Sequence, residues 1–327
     1  MNNQHPWPAP FRARRGLSGP HVQTLGAQFL VRRIVLPDPE ERLFQVDEGV
    51  QVLCHCHWQP RRREALSLLI VHGLEGSSES HYVLGTAQKA LAAGMNVVRM
   101  NVRNCGGTER LGPTLYHSGL SADVGAVARA LISEESLTRL ALAGFSMGGN
   151  IVLKLAGEWG RDAPDQLHAV AAVSPAIDLA ASADALHLPQ NCLYEQFFLW
   201  TLRRRFRRKS RLFPGRYDIA RLRRARTLRS FDDQVTAYYC GFEGADDYYL
   251  RASAARLIER IAVRALVLHS QDDPFVHILP ETRDRLLANP NIRYIETEQG
   301  GHCGFLTDRE GYDGRWAERT LIEFLQQ

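Results

Sequence analysis

No apolar run in this chain approaches the roughly 18–20 residues that a membrane-crossing helix requires. An integral helical membrane protein is therefore not expected. Cysteine is scarce, six among 327 residues, and most stand in apolar surroundings. That pattern predicts buried free thiols in a reducing, cytoplasmic setting rather than a disulfide framework. Neither sign of charge dominates: 40 Lys and Arg against 36 Asp and Glu leave a net +4, too little to mark a nucleic-acid binder. The opening MNNQHPWPAPFRARRG is rich in proline and arginine and leads into no apolar stretch, so no secretory signal is expected there. Internal repeats and low-complexity tracts are missing as well. With 45% hydrophobic and 23% charged residues, what remains is an ordinary globular chain, long enough for a large core.

What is present is a rhythm. Short apolar runs at Ala65–Val71, Met95–Met100, Leu140–Ala143, Ala169–Val173, Arg264–His269 and Ile292–Thr297 predict strands. Helical stretches fall between them, at His81–Ala93 and at Ser121–Ser133, where Val124, Val127, Ala128 and Leu131 share one stripe. Arg315–Gln327 predicts a closing helix. Such alternation implies an α/β fold, with a mostly parallel central sheet and helices on both faces. Residues 1–60 form an N-terminal arm and hairpin: an irregular segment to about 20, a short helix at His21–Leu30, and two strands within Arg42–Trp58 turning at Asp47-Glu48-Gly49. Between about 178 and 255 the alternation breaks into irregular helix. That interruption reads as a helical cap inserted before the strand at Arg264–His269, all within one domain spanning 1–327.

One stretch carries the chemistry. The apolar run Leu140–Ala143 ends in Gly144-Phe145-Ser146-Met147-Gly148, a G-x-S-x-G match, and continues as a helix. Strand, sharp turn with a serine, then helix is the context that gives the motif meaning. The turn lifts the hydroxyl above the sheet, and the helix aims its first amides where charge develops on an acyl oxygen. A serine nucleophile needs a base, and the base needs an acid to hold its tautomer. On such a fold they follow in the order acid, then histidine. Asp272-Asp273 directly follows the strand ending at His269, and His302 lies in the glycine-flanked loop after Thr297. Asp273 is preferred as the acid, because the turn then runs Asp-Pro-Phe-Val; Asp272 remains the alternative and is read as a loop cap. The backbone amides of Met147 and Leu74 are the expected oxyanion donors, with His72 supporting the Leu74 loop. Cys54-His55-Cys56-His57 invites a metal reading, but neighbours on a strand face opposite ways and no second cluster has zinc spacing. No metal site is expected.

Several motifs together resemble the YheT-like α/β-hydrolases, kin to the abhydrolase-domain lipases. They are GFSMGGN around Ser146, HGLEGSSES at 72–80, RNCGGTE at 103–109, LYHSGLSADV at 115–124, FDDQVTAYYCGFEGADDYY at 231–249, DDPFV at 272–276 and GGHCGF at 300–305. Gly19-Pro20-His21-Val22-Gln23-Thr24 is similar to that family's N-terminal signature. The resemblance spans nearly the whole chain. It implies an α/β-hydrolase fold, carboxylic ester hydrolysis without metal or organic cofactor, and Ser146, Asp273 and His302 as nucleophile, acid and base.

The segment Leu193–Phe213 joins an aromatic half to a dense basic half. The preferred reading is a lid helix that covers an acyl pocket and leaves its arginines solvated. The other is an interfacial element meeting anionic headgroups, and a weak peripheral membrane contact through this basic lid stays open. Basic residues do not alternate with aromatics along a sheet, so no dedicated nucleic-acid surface is expected. The expected activity is hydrolysis of a small-molecule ester or lipid of short to medium acyl length. A membrane-interface phospholipase or monoacylglycerol lipase, and a non-catalytic binding module on the same fold, are the alternatives.

Overall fold

A computed structural model describes residues 7–309 and 311–327; the first six residues of the N-terminal arm lie outside the described residues. Eight strands form one sheet: β1 (Glu40–Asp47), β2 (Val50–His57), β3 (Ser67–Val71), β4 (Asn96–Met100), β5 (Leu140–Phe145), β6 (Leu167–Val173), β7 (Ala265–Ser270) and β8 (Ile292–Thr297). Their order is β1-β2-β4-β3-β5-β6-β7-β8. The β1–β2 hairpin adds to the edge antiparallel, and β4 through β8 pair in parallel. Glu48 and Gly49 make the hairpin turn, with Gly49 at φ 64°.

The central strands read as unbroken apolar runs because both faces are covered. Every residue of β3, β5 and β7 is buried. Side-chain alternation sorts them into two cores. Leu69, Val71, Leu142, Val170 and Val267 meet α3 (Ser121–Glu134) and α4 (Met147–Trp159) on one face. Leu68, Ile70, Ala143, Leu266 and Leu268 meet α2 (His81–Ala92) and the last helix, Trp316–Gln326, on the other. A short first helix, α1 (Pro20–Phe29), packs beside the loop that follows β8. In β2, Cys54 and Cys56 enter the core while His55 turns towards Ser78 and Glu79. The four residues of that Cys-His run thus do not converge on one point.

Between β6 and β7 the chain forms α5 (Leu179–Leu186), α6 (Cys192–Leu212), α7 (Leu228–Phe231), a π-helical turn over Asp232–Ala237, α8 (Tyr238–Cys240) and α9 (Ala245–Ala252). The rest of the chain adds α10 (Pro280–Ala288) and α11, the terminal helix Trp316–Gln326. Helix α6 is apolar on two sides. Leu199, Leu202 and Phe206 are buried, whereas Leu193, Phe197 and Trp200 are 82, 58 and 56% exposed.

The expectation that the α6 arginines stay solvated holds for Arg204, Arg207, Arg208 and Arg211, which are exposed, but not for Arg205 or for Lys209 beside it. Arg205 donates to Glu75 at 2.8 Å and to the Asn104 carbonyl. Lys209 is fully buried and donates to Asn104 Oδ1 and to the carbonyls of Glu109 and Gly112. Both lie on the helical stripe of Leu202 and Phe206, and Glu75 of the loop after β3 together with oxygens of the loop after β4 compensate their charge. Burial pulls the Lys209 ammonium down to about 8.

Candidate active site

Strand β5 ends in a turn too tight for side chains at its flanks. A Cβ on Gly144 would stand 2.2 Å from the Gly148 carbonyl oxygen, and one on Gly148 would stand 2.3 Å from that of Val71. Ser146 sits between them at φ 53°, ψ −118°, a conformation unfavourable for a residue with a side chain. Ser146 N–H donates to Val173 O at 2.9 Å, and Asn150 and Ala176 donate to its carbonyl, so the turn is held from both sides. Helix α4 starts at the next residue, leaving the Met147 amide among the orphan donors of a helix N-terminus.

Three expected residues meet here. His302 Nε2 lies 2.9 Å from Ser146 Oγ, and His302 Nδ1 lies 2.7 Å from Asp273 Oδ2. Asp273 Oδ1 accepts the Phe275 and Val276 amides at 3.2 and 2.9 Å. Asp272 instead turns to the Gly301 amide, 2.8 Å away, and does not touch the imidazole. Burial favours a neutral Asp273, but the histidine and the Val276 amide outweigh it and hold the carboxyl below its usual range. For His302 burial disfavours the cation, yet Asp273 prevails and raises its pKa. Such a chain can draw a proton from the serine hydroxyl and keep it on a stabilised imidazolium.

The histidine loop leans on α1. His302 N–H donates to Thr24 Oγ1 at 2.9 Å, and the buried Gln23 brackets Leu306 through both its amide ends. A Cβ at Gly301 would stand 2.5 Å from the Pro20 carbonyl, so that helix and loop approach backbone to backbone. Sequence reasoning marked the 19–24 segment as part of a short helix and of a family signature, but gave it no role at the site. Its structural role is to seat His302.

On the other side, His72 is buried and accepts the Val102 N–H at Nε2, 3.1 Å, which leaves Nδ1 to donate to Gly73 O at 2.7 Å. Burial lowers its pKa to about 4, so the ring stays neutral. The Gly73 amide donates to Tyr82 OH, while among the described residues the Leu74 amide meets no acceptor. Glu75 follows at φ 57°. Its enclosed carboxylate accepts Arg205 Nε at 2.8 Å and Tyr116 OH at 2.5 Å. Sequence reasoning missed this Arg205–Glu75–Tyr116 group.

Leu74, Ser146 and Met147 share a cavity of about 80 Å³ with Leu179, Phe198, Leu202 and Asp232 of the insertion. That is several times the roughly 10–15 Å³ needed to hold one water. Among the described residues no three His, Cys, Asp or Glu side chains cluster as metal ligands, and no helix is long and apolar enough to cross a membrane.

A family model described as alpha/beta hydrolase fold matches residues 67–309. The protein named "Putative esterase YheT" from Escherichia coli (strain K12) is 31% identical over 97% of this chain and 93% of its own length. Mouse Phospholipase ABHD3 is 30% identical over 80% of this chain, which spans 63% of that protein. Monoacylglycerol lipase of Saccharomyces cerevisiae is 29% identical over 79% of this chain and 58% of its own length. Among solved structures, the esterase Pf2001 of Pyrococcus furiosus superposes with a TM-score of 0.58 at 16% identity, covering 90% of this chain and 98% of that one. At that identity the likeness speaks for the fold alone.

Proposed function

The chain belongs to the α/β-hydrolase family, in its YheT-like branch, and is an ester-hydrolysing enzyme; from that premise we propose a serine carboxylic ester hydrolase working through Ser146, His302 and Asp273. Ser146 Oγ attacks the ester carbonyl while His302 Nε2 takes its proton. The oxyanion lies between the Leu74 and Met147 amides. Collapse of the tetrahedral species releases the alcohol, protonated by His302, and leaves an acyl-serine. Water, deprotonated by the same imidazole, then frees the acid. Asp273 keeps the ring in the required tautomer. What carries the reading is the hydrogen-bonded chain of 2.9 and 2.7 Å at the mouth of an apolar cavity. A non-catalytic binding module would have no use for that alignment.

In this reading the whole chain is one domain, residues 178–255 act as its cap, and the small cavity suits short to medium acyl groups. The free thiols fit a cytoplasmic setting. Hydrolysis of p-nitrophenyl esters across acyl lengths tests the proposal. Activity peaking at one length and vanishing in Ser146→Ala is expected. Neither turnover nor labelling by a fluorophosphonate would overturn it.

A second reading, work on lipid at a membrane surface, is favoured by one observation. The outward side chains Leu193, Phe197 and Trp200 of α6 and Val22, Leu25 and Phe29 of α1 are all exposed. The two helices touch at His21 and Tyr194, 3.1 Å apart, next to the His302 loop. Turnover that rises once the substrate aggregates, and falls with salt, is its signature.

A further inference from the structure

The cavity beside Ser146 is not uniformly apolar. Asp232, at the start of the π-helical turn, lines it with its neighbours Thr236 and Tyr249. The aspartate is 9% exposed. Thr236 Oγ1 donates to Oδ1 and Tyr249 OH to Oδ2, each at 2.8 Å. Both donors are neutral. Among the described residues no cation forms a salt bridge with this carboxylate; the nearby Arg229 pairs with Asp184 and Asp246 instead. The histidine on the same wall, His117, is held neutral by burial.

A tie between the π-helical turn and α9 needs only an acceptor, which an amide oxygen would supply equally well. A carboxylate brings something more: charge at the wall of the cavity beside Ser146. Burial raises its pKa to about 6, so it remains largely ionised at neutral pH and incompletely compensated. A plain hydrocarbon chain would strip its remaining water and return nothing. A group with an N–H or O–H would complete its hydrogen bonds.

We propose that Asp232, supported by Thr236 and Tyr249, is a specificity-determining subsite that accepts a hydrogen bond from an ammonium or hydroxyl group on the part of the ester held in this cavity. The proposal rests on Ser146 as the nucleophile only in locating the ester. No bond is made or broken at Asp232.

The test compares kcat/KM for p-nitrophenyl hexanoate, 6-hydroxyhexanoate and 6-aminohexanoate in wild type and Asp232→Asn. Wild type is expected to favour a donor-bearing ester over hexanoate by about tenfold or more, and Asp232→Asn to collapse the ammonium ratio. A preference confined to the ammonium, or shared by the hydroxyl, tells which donor is natural. A merely structural Asp232 would lower all three rates together and leave the ratios alone, and a wild type that favours plain hexanoate overturns the proposal. Should the variant not fold, the wild-type ratios decide by themselves. Calorimetric binding of hexylammonium, hexanol and hexanoate anion to the wild type separates this idea from the ester reading. Hexylammonium, with or without hexanol, binds and the anion does not if the subsite exists, whether or not Ser146 reacts. Equal binding of all three, or none, sinks it.

Discussion

The sheet and the insertion between β6 and β7 share one apolar core but differ in what is added to it. In the sheet, Leu68 to Val71, Leu140 to Phe145 and Ala265 to Leu268 are fully apolar and fully enclosed, and their backbone polar groups are consumed by the ladder. Ser146 and Asp273 stand just past the ends of two such strands, whereas His302 follows the half-buried edge strand β8 and its loop is seated by Thr24 and Gln23. The insertion packs Leu199, Leu202, Phe206 and Phe231 into that core and adds buried charge: Arg205 on Glu75, Lys209 on three oxygens of the loop after β4, and, within the insertion, Glu195 on the Leu228 amide. Ladder hydrogen bonds and close packing fix the strand ends, whereas a buried ion pair holds the insertion through a few directional contacts. The proposed reacting groups thus ride on strand ends, and the cavity wall that the insertion supplies is tied down by buried charge as well as by packing.

That contrast is broken most severely on the sheet side. Replacing Ser146 with Ala is expected to lower kcat at least about 10⁴-fold and abolish fluorophosphonate labelling, with stability little changed. Asp273→Asn should lower kcat by about 10⁴-fold and also move the pH profile. His302 must be neutral to accept a proton, and Asp273 raises its pKa against the pull of burial. The acidic limb of kcat/KM should therefore lie above the 6.5 of an ordinary imidazole, with activity growing as pH rises through it. Removing the carboxylate should shift that limb downward. A limb unmoved by Asp273→Asn would detach this acid from the base.

The sheet side was also the legible side. Apolar runs bounded by turn residues announce buried strands, and Gly144 and Gly148 announce the elbow because nothing larger fits there. The order of Ser146, the aspartate pair and His302 follows from which strand ends gather at one edge. Spacing alone could not separate Asp272 from Asp273, since the choice turns on which carboxylate points to the ring and which to the Gly301 amide. The insertion was opaque for a different reason. Arg205 stands in a run dense with arginines, and its partner Glu75 is 130 residues away. Composition assigns such a run to solvent. The usable signal was periodicity: Arg205 and Lys209 fall on the stripe of Leu202 and Phe206, so they turn inward when it does. Asp232 gave no such signal, because beside Asp233 in a helical segment it reads as surface, and the family motif at 231–249 marked the stretch without giving the residue a role.

The Arg205–Glu75 fastener sharpens the comparison next. Glu75 follows Leu74, whose amide is the proposed oxyanion donor, and its left-handed backbone is held by what its carboxylate grips. Arg205→Met leaves that carboxylate enclosed without its cation, a change that costs about 3–5 kcal/mol where a buried pair is broken. Thermal unfolding should register the loss, and Glu75→Gln in the same chain should restore part of it. If the pair also positions Leu74, kcat should fall about tenfold or more while KM changes little. Unchanged kcat with lowered stability would make it a fastener only.

The smallest effect is expected on the outer face of α6. Leu193, Phe197, Trp200, Arg204, Arg207 and Arg211 recur there at helical spacing, and all are exposed. Apolar side chains that water already reaches contribute little to folding, so serine at Leu193, Phe197 and Trp200 should move stability by no more than about 0.5 kcal/mol each. Hydrolysis of a soluble ester should hardly change, because the opposite face of the helix, with Phe198 and Leu202, lines the cavity. Only a membrane would notice. Binding to vesicles containing anionic lipid should weaken in the triple serine variant and also on raising the salt, since the arginines supply the screened part of the attraction. Vesicle binding equal in variant and wild type would leave this face without a lipid role and return α6 to being a wall of the pocket.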